Sequence, residues 1–389
     1  MKYIHVEKGV MIKSWCNNPE QGAINQAINL AKLPFAFKHV ALMPDVHQGY
    51  GMPVGAVFAS KDVIIPNAVG VDIGCGMCAI PTNIFVKHLD TDKLKAIMGQ
   101  VREKIPVGFS KHVEKQDAIL MPKGILGPVT GTPDVYNHAL HSIGTLGGGN
   151  HFIEFQEDQI GFMWVMIHSG SRSLGKTVAE HYNTIAIEWN KKFSSSVSEE
   201  QELAFLPMEM MDALDYLQEM EYCVEYAFAN RNLMMSRIKE IIKNYITSTE
   251  FGEMINIAHN YARLENHFNE DVFVHRKGAT SARVGEMGII PGSQGTASFI
   301  VRGKGNTQSF ESCSHGAGRR MGRKVAQKTL DLEAEKKFLD DKGVIHSIRT
   351  HQDLDEAPGS YKDIDIVMKE QEDLLDIVYT LRPLAVIKG

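Results

Sequence analysis

Long apolar runs are missing from this sequence. MWVMI, at 163 to 167, is among the longest, whereas a membrane-spanning helix needs about 20 apolar residues. The start, MKYIHVEKGVMIKSW, has no apolar core of the kind a secretory leader carries. Cysteine is scarce: the five residues, at 16, 75, 78, 223 and 313, are odd in number. Without a leader they read as reduced thiols, and the expected compartment is cytoplasmic. An excess of cations is missing too. Lys and Arg number 41 against 47 Asp and Glu, a net charge of −6. That excludes a generally basic nucleic-acid coat, because phosphate binding needs clustered Lys and Arg. Local basic sites stay open. Arg319, Arg320, Arg323 and Lys324 form one cluster, and Arg276, Lys277 and Arg283 another. For any one of these side chains, solvated surface charge is the plainer reading. There is no internal repeat, low-complexity tract or long linker.

What is present is ordinary globular composition, 43% apolar and 23% charged over 389 residues. Short apolar runs such as Val40 to Met43 and Val54 to Ala59 make the first 80 residues strand-rich. Residues 92 to 104 and 175 to 192 read as helices. Residues 105 to 146, punctuated by Pro and Gly, read as mostly loop. A helical segment is expected within 200 to 247, clearest from 218. There Met234, Ile238, Ile241, Ile242 and Tyr245 make one apolar stripe. The methionines between 208 and 235 read as core filler. Strand-like runs return at 271 to 276, 297 to 302 and 384 to 387, and a helix is expected just after Gly318. The fold class is mixed α+β.

Four segments carry chemistry. VDIGCGM, 71 to 77, sets Asp72 and Cys75 three apart on a glycine turn. Carboxylate and thiolate are both metal ligands, although a buried turn cysteine and an Asp turn cap are the alternative. GGGNHFIE, 147 to 154, places Asn150, His151 and Glu154 after three glycines. MWVMIHSGSR is an apolar strand that ends on His168 and a Gly/Ser loop. SCSHGAGRR, 312 to 320, places His315 before two glycines and two arginines. Each histidine sits where an extended segment meets a glycine-rich loop, and such junctions on rigid scaffolds gather functional sites.

These runs, with MPDVHQGYG (43 to 51), AHNYARLENH (258 to 267), RKGATSA (276 to 282), IIPGSQGTASF (289 to 299), CSHGAGR (313 to 319), YKDID (361 to 365) and the terminal VIKG, occur in an order that resembles the RtcB RNA ligases over the whole length. The resemblance implies one large catalytic domain, residues 1–389, with a strand-rich core. It implies two manganese ions held by Asp72, Cys75, His151, His168 and His259, with Cys75 bridging. Thiolate and imidazole alone would favour zinc. It also implies that His315 is the nucleophile, taking guanylate from the co-substrate GTP as a phosphoramidate. Around the guanylate it places Asn150, His151, Phe152, Ile153, Glu154, His259, Asn260, Pro291, Gly292, Ser293, Gln294, Ser298, Gly316, Ala317, Gly318 and Lys388.

An ionised Glu154 can accept two hydrogen bonds from a guanine edge. Gly316 and Gly318, with a helix start behind them, would let backbone amides meet a phosphate. Asp45 is a candidate for the attacking 5′-hydroxyl or for support of the metals, with turn capping as the alternative. Arg172 is a candidate for RNA phosphate, with a structural ion pair as the alternative. Cys78 and His267 read as structural. Family members often carry Ser where this chain has Gly322, and the stretch from 82 to 146 is short for the family.

The activity the resemblance implies is joining of RNA 3′-phosphate or 2′,3′-cyclic phosphate ends to 5′-hydroxyl ends, in RNA repair or tRNA splicing. Two rivals stay open. A two-metal phosphodiesterase would need the ligands but not His315 or Lys388. A non-catalytic RNA-binding protein would need basic patches alone. An activating protein partner, the physiological RNA and the oligomeric state are not readable from the residues.

Overall fold

The computed structural model describes residues 1–389. The first part of the chain forms β1 (Lys2–Ile4), β2 (Met11–Ser14), helix α1 (Gln21–Ala31), β3 (Ala36–Tyr50), β4 (Met52–Ser60), β5 (Val63–Ile64), the one-turn α2 (Pro66–Val69) and β6 (Gly76–Phe85). Then come α3 (Thr91–Lys104), α4 (Pro133–Ser142), β7 (Phe152–Asp158), β8 (Phe162–Ser169), α5 (Leu174–Lys192), β9 (Leu206–Pro207) and α6 (Met211–Tyr245). The remainder holds β10 (Ile255–Ala258), β11 (Asn260–His267), β12 (Glu270–Lys277), β13 (Ala279–Ser281), β14 (Met287–Ile290), β15 (Ser298–Gly303) and β16 (Ser312–Ser314). Helices α7 (Arg323–Thr329), α8 (Leu332–Asp341) and α9 (Ile364–Lys369) precede the last strand, β17 (Leu375–Lys388).

Two sheets carry the molecule, and the class is mixed α+β. One has six strands in the order β1-β2-β3-β4-β12-β11, and the other seven, β10-β6-β8-β7-β17-β15-β14. Only β2 and β3 pair in parallel; every other ladder is antiparallel. In the seven-stranded sheet, side chains part by the two-residue period of a strand. Met163, Val165 and Ile167 of β8 pack with Met234, Ile238, Ile241 and Ile242 of α6. Their neighbours Trp164 and Met166 face the other way, onto Ile289, Ile300 and Leu381. The helix stripe read from sequence is therefore the face that covers this sheet, except for Tyr245, which is exposed.

Helix α6 begins seven residues before the clearest part of its pattern, and nothing in DALDYLQEME breaks it. Five helices were not expected: α1, α2, α4, α8 and α9. In α1, Ala23, Ala27, Leu30 and Ala31 bury one stripe. In α4, Pro133 fills the first turn and Asp134 follows it, a helix start hidden among the surrounding Pro and Gly. The helix expected after Gly318 begins only at Arg323, and it has seven residues. Residues 318 to 320 are instead held by backbone bonds: the Arg320 amide donates to Ser360 and the Lys362 amide to Gly318. Gly322 is the N-cap of α7 and offers no side-chain cap, where a serine could accept from the first turn. No helix is long and apolar enough to cross a membrane.

Candidate active site

The strand period also decides what faces the cleft. On β7, Ile153 and Phe155 point into the core under α6, so Phe152 and Glu154 point the other way. On β17, Ala385 and Ile387 are in that core, which leaves Val386 and Lys388 for the opposite side. Phe152, Glu154, His168, Val386 and Lys388 together wall a cleft of about 330 Å³. Asp72, Cys75, Asn150, His259, Asn260 and His315 line it as well, as do Pro291 to Gln294 and Gly316 to Gly318. Ile153 faces away from it. Ser298 is fully buried behind the wall, where its hydroxyl accepts from Gln156 and from the Gly292 amide.

At one end, donor atoms converge. Cys75 Sγ lies 3.5 Å from His151 Nε2 and 3.3 Å from His168 Nε2. Asp72 Oδ2 is 3.5 Å from His151 Nε2. The far ring nitrogens are held by backbone: His151 Nδ1 by the Leu146 carbonyl at 2.9 Å, and His168 Nδ1 by the Asn150 carbonyl at 3.1 Å. Both Nε2 atoms are thereby left as acceptors aimed at one place. The His259 ring lies 5.2 Å from that of His168, and its Nδ1 is buried without a partner. Burial holds His168 and His259 well below the ordinary imidazole value, in the neutral form that ligates. Burial and the Asp72 carboxylate push the Cys75 thiol well up. A divalent cation would reverse that by taking the thiolate outright. Soft sulfur, the neutral imidazoles of His168 and His259, the His151 ring, a carboxylate and an orphaned buried nitrogen together fit a metal centre.

The loops bearing these donors are tied together from behind. Gly74, at φ +77°, has no room for a Cβ against the Cys223 carbonyl and Val224 Cα, so the Asp72–Cys75 turn lies directly on α6. Two adjacent α6 residues then clamp the set. Asn230 accepts from the Gly144 and Thr145 amides and donates to Ser169 Oγ and the Gly170 carbonyl. Arg231, fully buried, donates to the carbonyls of Gly74 and Ser169. The residues before Cys75, after His168 and ahead of His151 are thus fixed by one helix turn. Neither Asn230 nor Arg231 was anticipated; a buried Arg in an apolar helix stripe was the available signal.

His315 stands next to this cluster, its ring 4.9 Å from that of His259. Asp45 Oδ2 accepts from His315 Nδ1 at 2.6 Å and from the backbone amides of His315 and Gly316. Asp45 is fully buried, with Oδ2 spent on these three bonds and Oδ1 without a partner: it orients His315. By holding the Nδ1 proton, it leaves the lone pair on Nε2. The Gly316 amide, expected to face an anion, donates to Asp45 at 3.3 Å, and the helix expected behind it starts only at Arg323. Gly318 is required for a different reason. At φ +74°, a Cβ there would fall 2.2 Å from the Asp45 carbonyl, so the His315 loop lies against the strand that orients it.

The opposite end is cationic. Lys388 is packed in the wall, and burial lowers it against the opposing charge of Glu356. Glu154 has one oxygen buried without a partner, and burial pushes its carboxyl well above the usual range despite Lys388. The ionised form expected from sequence therefore needs donors that arrive with a ligand. Asn260 spends its amide on the Asp72 carbonyl and the Gly278 amide. Ser293 pairs with Thr296, and Gln294 donates to the Glu356 carbonyl. Glu356 and Tyr361 belong to the cleft and were not singled out from sequence.

The second basic cluster is not a phosphate surface. Arg276 is fully buried and bonded to Glu265, and Lys277 donates to the carbonyls of Tyr50 and Asn67. Lys277 does reach the cleft, and burial lowers it to about 8. Arg172 braces the Thr145 hydroxyl and the Gly108 carbonyl, a structural bond but not an ion pair. His267 is buried against Glu265 at the end of β11, and Cys78 lies in the core under α6.

Comparison with known proteins returns one family. The family model for tRNA-splicing ligase RtcB matches residues 26–125 and 129–389. The RNA-splicing ligase RtcB of Escherichia coli is 37% identical, over 97% of each chain. The tRNA-splicing ligase RtcB of Nanoarchaeum equitans is 31% identical over 95% of this chain and 92% of its own. That of Thermococcus kodakarensis is 30% identical over 94% and 91%.

Proposed function

This chain belongs to the RtcB family of RNA ligases, and from that premise we propose that it joins RNA 3′-phosphate or 2′,3′-cyclic phosphate ends to 5′-hydroxyl ends with GTP and Mn²⁺. The observation that carries the proposal is the His315–Asp45 pair opening onto the same cleft as the Cys75 donor cluster. In this reading His315 Nε2 attacks the α-phosphorus of GTP. A nitrogen–phosphorus bond forms, the bond to the β-phosphate oxygen breaks, and pyrophosphate leaves. The ring becomes cationic, and Asp45 keeps its Nδ1 proton and offsets that charge. The RNA 3′-phosphate then takes the guanylate from His315. The 5′-hydroxyl attacks the activated phosphate, its proton is lost, and GMP departs. A cyclic phosphate is first opened by water.

Asp72, Cys75, His151, His168 and His259 are the residues proposed to hold two Mn²⁺ ions, which when bound offset charge on phosphate oxygens. Asn150, Glu154, Ser293 and Lys388 are proposed to hold the guanosine phosphate, with Pro291, Gly292, Gln294, Ala317 and Gly318 shaping its walls. Motifs drawn from residue 45 to 388 meet in one cleft, which supports a single catalytic unit. All five cysteines are free and buried, which supports a reducing, cytoplasmic setting. RNA repair or tRNA splicing is the proposed context. The test is end chemistry. A labelled strand ending in 3′-phosphate should join a 5′-hydroxyl strand only with GTP and Mn²⁺, and a 3′-hydroxyl/5′-phosphate pair should not react. Opening of cyclic phosphate without joining at any GTP concentration would overturn the ligase reading in favour of a phosphodiesterase.

A further inference from the structure

One buried carboxylate stands at the centre of the cationic end of the cleft. Glu356 Oε1 lies 3.1 Å from Arg319 Nη1 and 3.4 Å from Arg323 Nη2. Its Oε2 lies 3.4 Å from Lys388 Nζ and accepts from the Tyr361 hydroxyl. These four partners all line the cleft. They come from the nucleophile loop, the start of α7, the end of β17 and the segment before α9. No backbone ladder relates these pieces to one another except the single bridge between Arg319 and Tyr361. Glu356 itself is 5% exposed, and its backbone carbonyl is fixed by Gln294.

We infer that Glu356 is a positioning residue for guanylate transfer: it gathers Arg319, Arg323, Lys388 and Tyr361 into one array facing His315. The inference rests on the GTP reading above. A buried ion pair contributes little net stability, yet removing one partner leaves the others uncompensated. Here three cations converge on Glu356, with the Asp355 carboxylate near them, so each side chain is held in place against the nucleotide. Three long cationic side chains without that anion would repel one another and swing apart. The nucleotide would still bind, but its α-phosphorus would no longer be held in line with His315 Nε2. Such misplacement acts on the rate rather than on affinity, and about 1 Å can cost roughly a hundredfold.

The experiment measures protein guanylylation with labelled GTP and Mn²⁺ for the natural protein, Glu356→Gln and Glu356→Asp, each over a range of GTP concentration, with thermal melting alongside. The natural protein is the control for the reading itself: if it forms no protein-bound guanylate, that reading fails and not the role of Glu356. With the control labelled, the inference expects Glu356→Gln to lose roughly a hundredfold in maximal rate, with a half-saturating GTP concentration unchanged or lower. Glu356→Asp should recover a large part of the rate. The inference is overturned if Glu356→Gln is labelled at the natural rate. It is also overturned if rate falls only in step with melting temperature, or if the aspartate recovers nothing while folding normally.

Discussion

The two ends of the cleft are built on opposite plans. At the cysteine end the donor atoms point at a common place and their backs are tied to backbone: His151 and His168 each give Nδ1 to a carbonyl, and His259 Nδ1 has no partner. Beyond it the groups are held by protein partners, His315 by Asp45 and, at the cationic end, Arg319, Arg323 and Lys388 by Glu356, with Glu154 Oε1 the atom left without one. One end presents unspent donors of the kind a cation takes. The other holds its cations ready by internal ion pairs. The difference teaches what each end is sensitive to. Loss of a donor at the first removes the centre itself, whereas loss of a partner at the second leaves the groups present but misdirected.

The largest effect should come from the first end. Cys75→Ala removes the sulfur that both His151 Nε2 and His168 Nε2 approach, and the expected result is loss of both Mn²⁺ ions by metal analysis and of all guanylylation. His168→Ala or His259→Ala should mainly lower one site. Two ions retained by the Cys75 variant would refute a shared thiolate.

Asp45→Asn tests the second end. The carboxamide preserves size but can present its NH₂ to His315 Nδ1, which moves the ring proton to Nε2. Guanylylation should fall by about 10⁴-fold, the scale of an Asp→Asn change behind a catalytic histidine, with metal content intact. Metal loss in this variant would erase the distinction between the ends.

A smaller effect is expected behind the donors. Asn230→Ala frees the Gly144–Thr145 and Ser169–Gly170 loops, and Mn²⁺ affinity measured by calorimetry should weaken by roughly 10- to 100-fold. The rate of guanylylation at saturating Mn²⁺ should change much less.

The smallest effect separates the ends by pH. Cys75 is raised above 9.0 by burial and by Asp72 and must give up its proton to ligate, so Mn²⁺ affinity should rise with pH, by at most about tenfold per unit for one proton released. Lys388 is lowered from 10.5 by burial, so its charge is lost at a lower pH than that of a free lysine. Guanylylation at saturating Mn²⁺ should therefore decline on the alkaline side, and in Lys388→Arg that decline should disappear. Parallel pH profiles for metal binding and for guanylylation would contradict the two plans.

Much of this was legible in the residues. The strand-like run at 384 to 387 ahead of Lys388, and the stripe from Met234 to Ile242, were local patterns, and the structure keeps them. Histidines at the junction of apolar runs and glycine loops do meet. What escaped were the pairings. Asp45 and His315 are 270 residues apart, and no local pattern links a turn-like MPDVH to the loop that carries His315. Glu356 sits in a polar stretch, DLDEAP, where a carboxylate reads as solvated surface. Arg276 and Lys277 looked like a basic patch because sequence shows charge but not burial. Helix α4 was hidden because Pro is both a helix starter and a loop signal, and only the following Asp134 distinguishes the two.

The most direct measurement is the location of the guanylate. The protein is incubated with labelled GTP and Mn²⁺, digested at neutral to alkaline pH, and its peptides are mapped by mass. The account predicts GMP on the peptide bearing His315, lost on mild acid treatment as a phosphoramidate is, and absent in His315→Ala with metal content unchanged. Guanylate on any other residue, or none in metal-loaded natural protein, would contradict it.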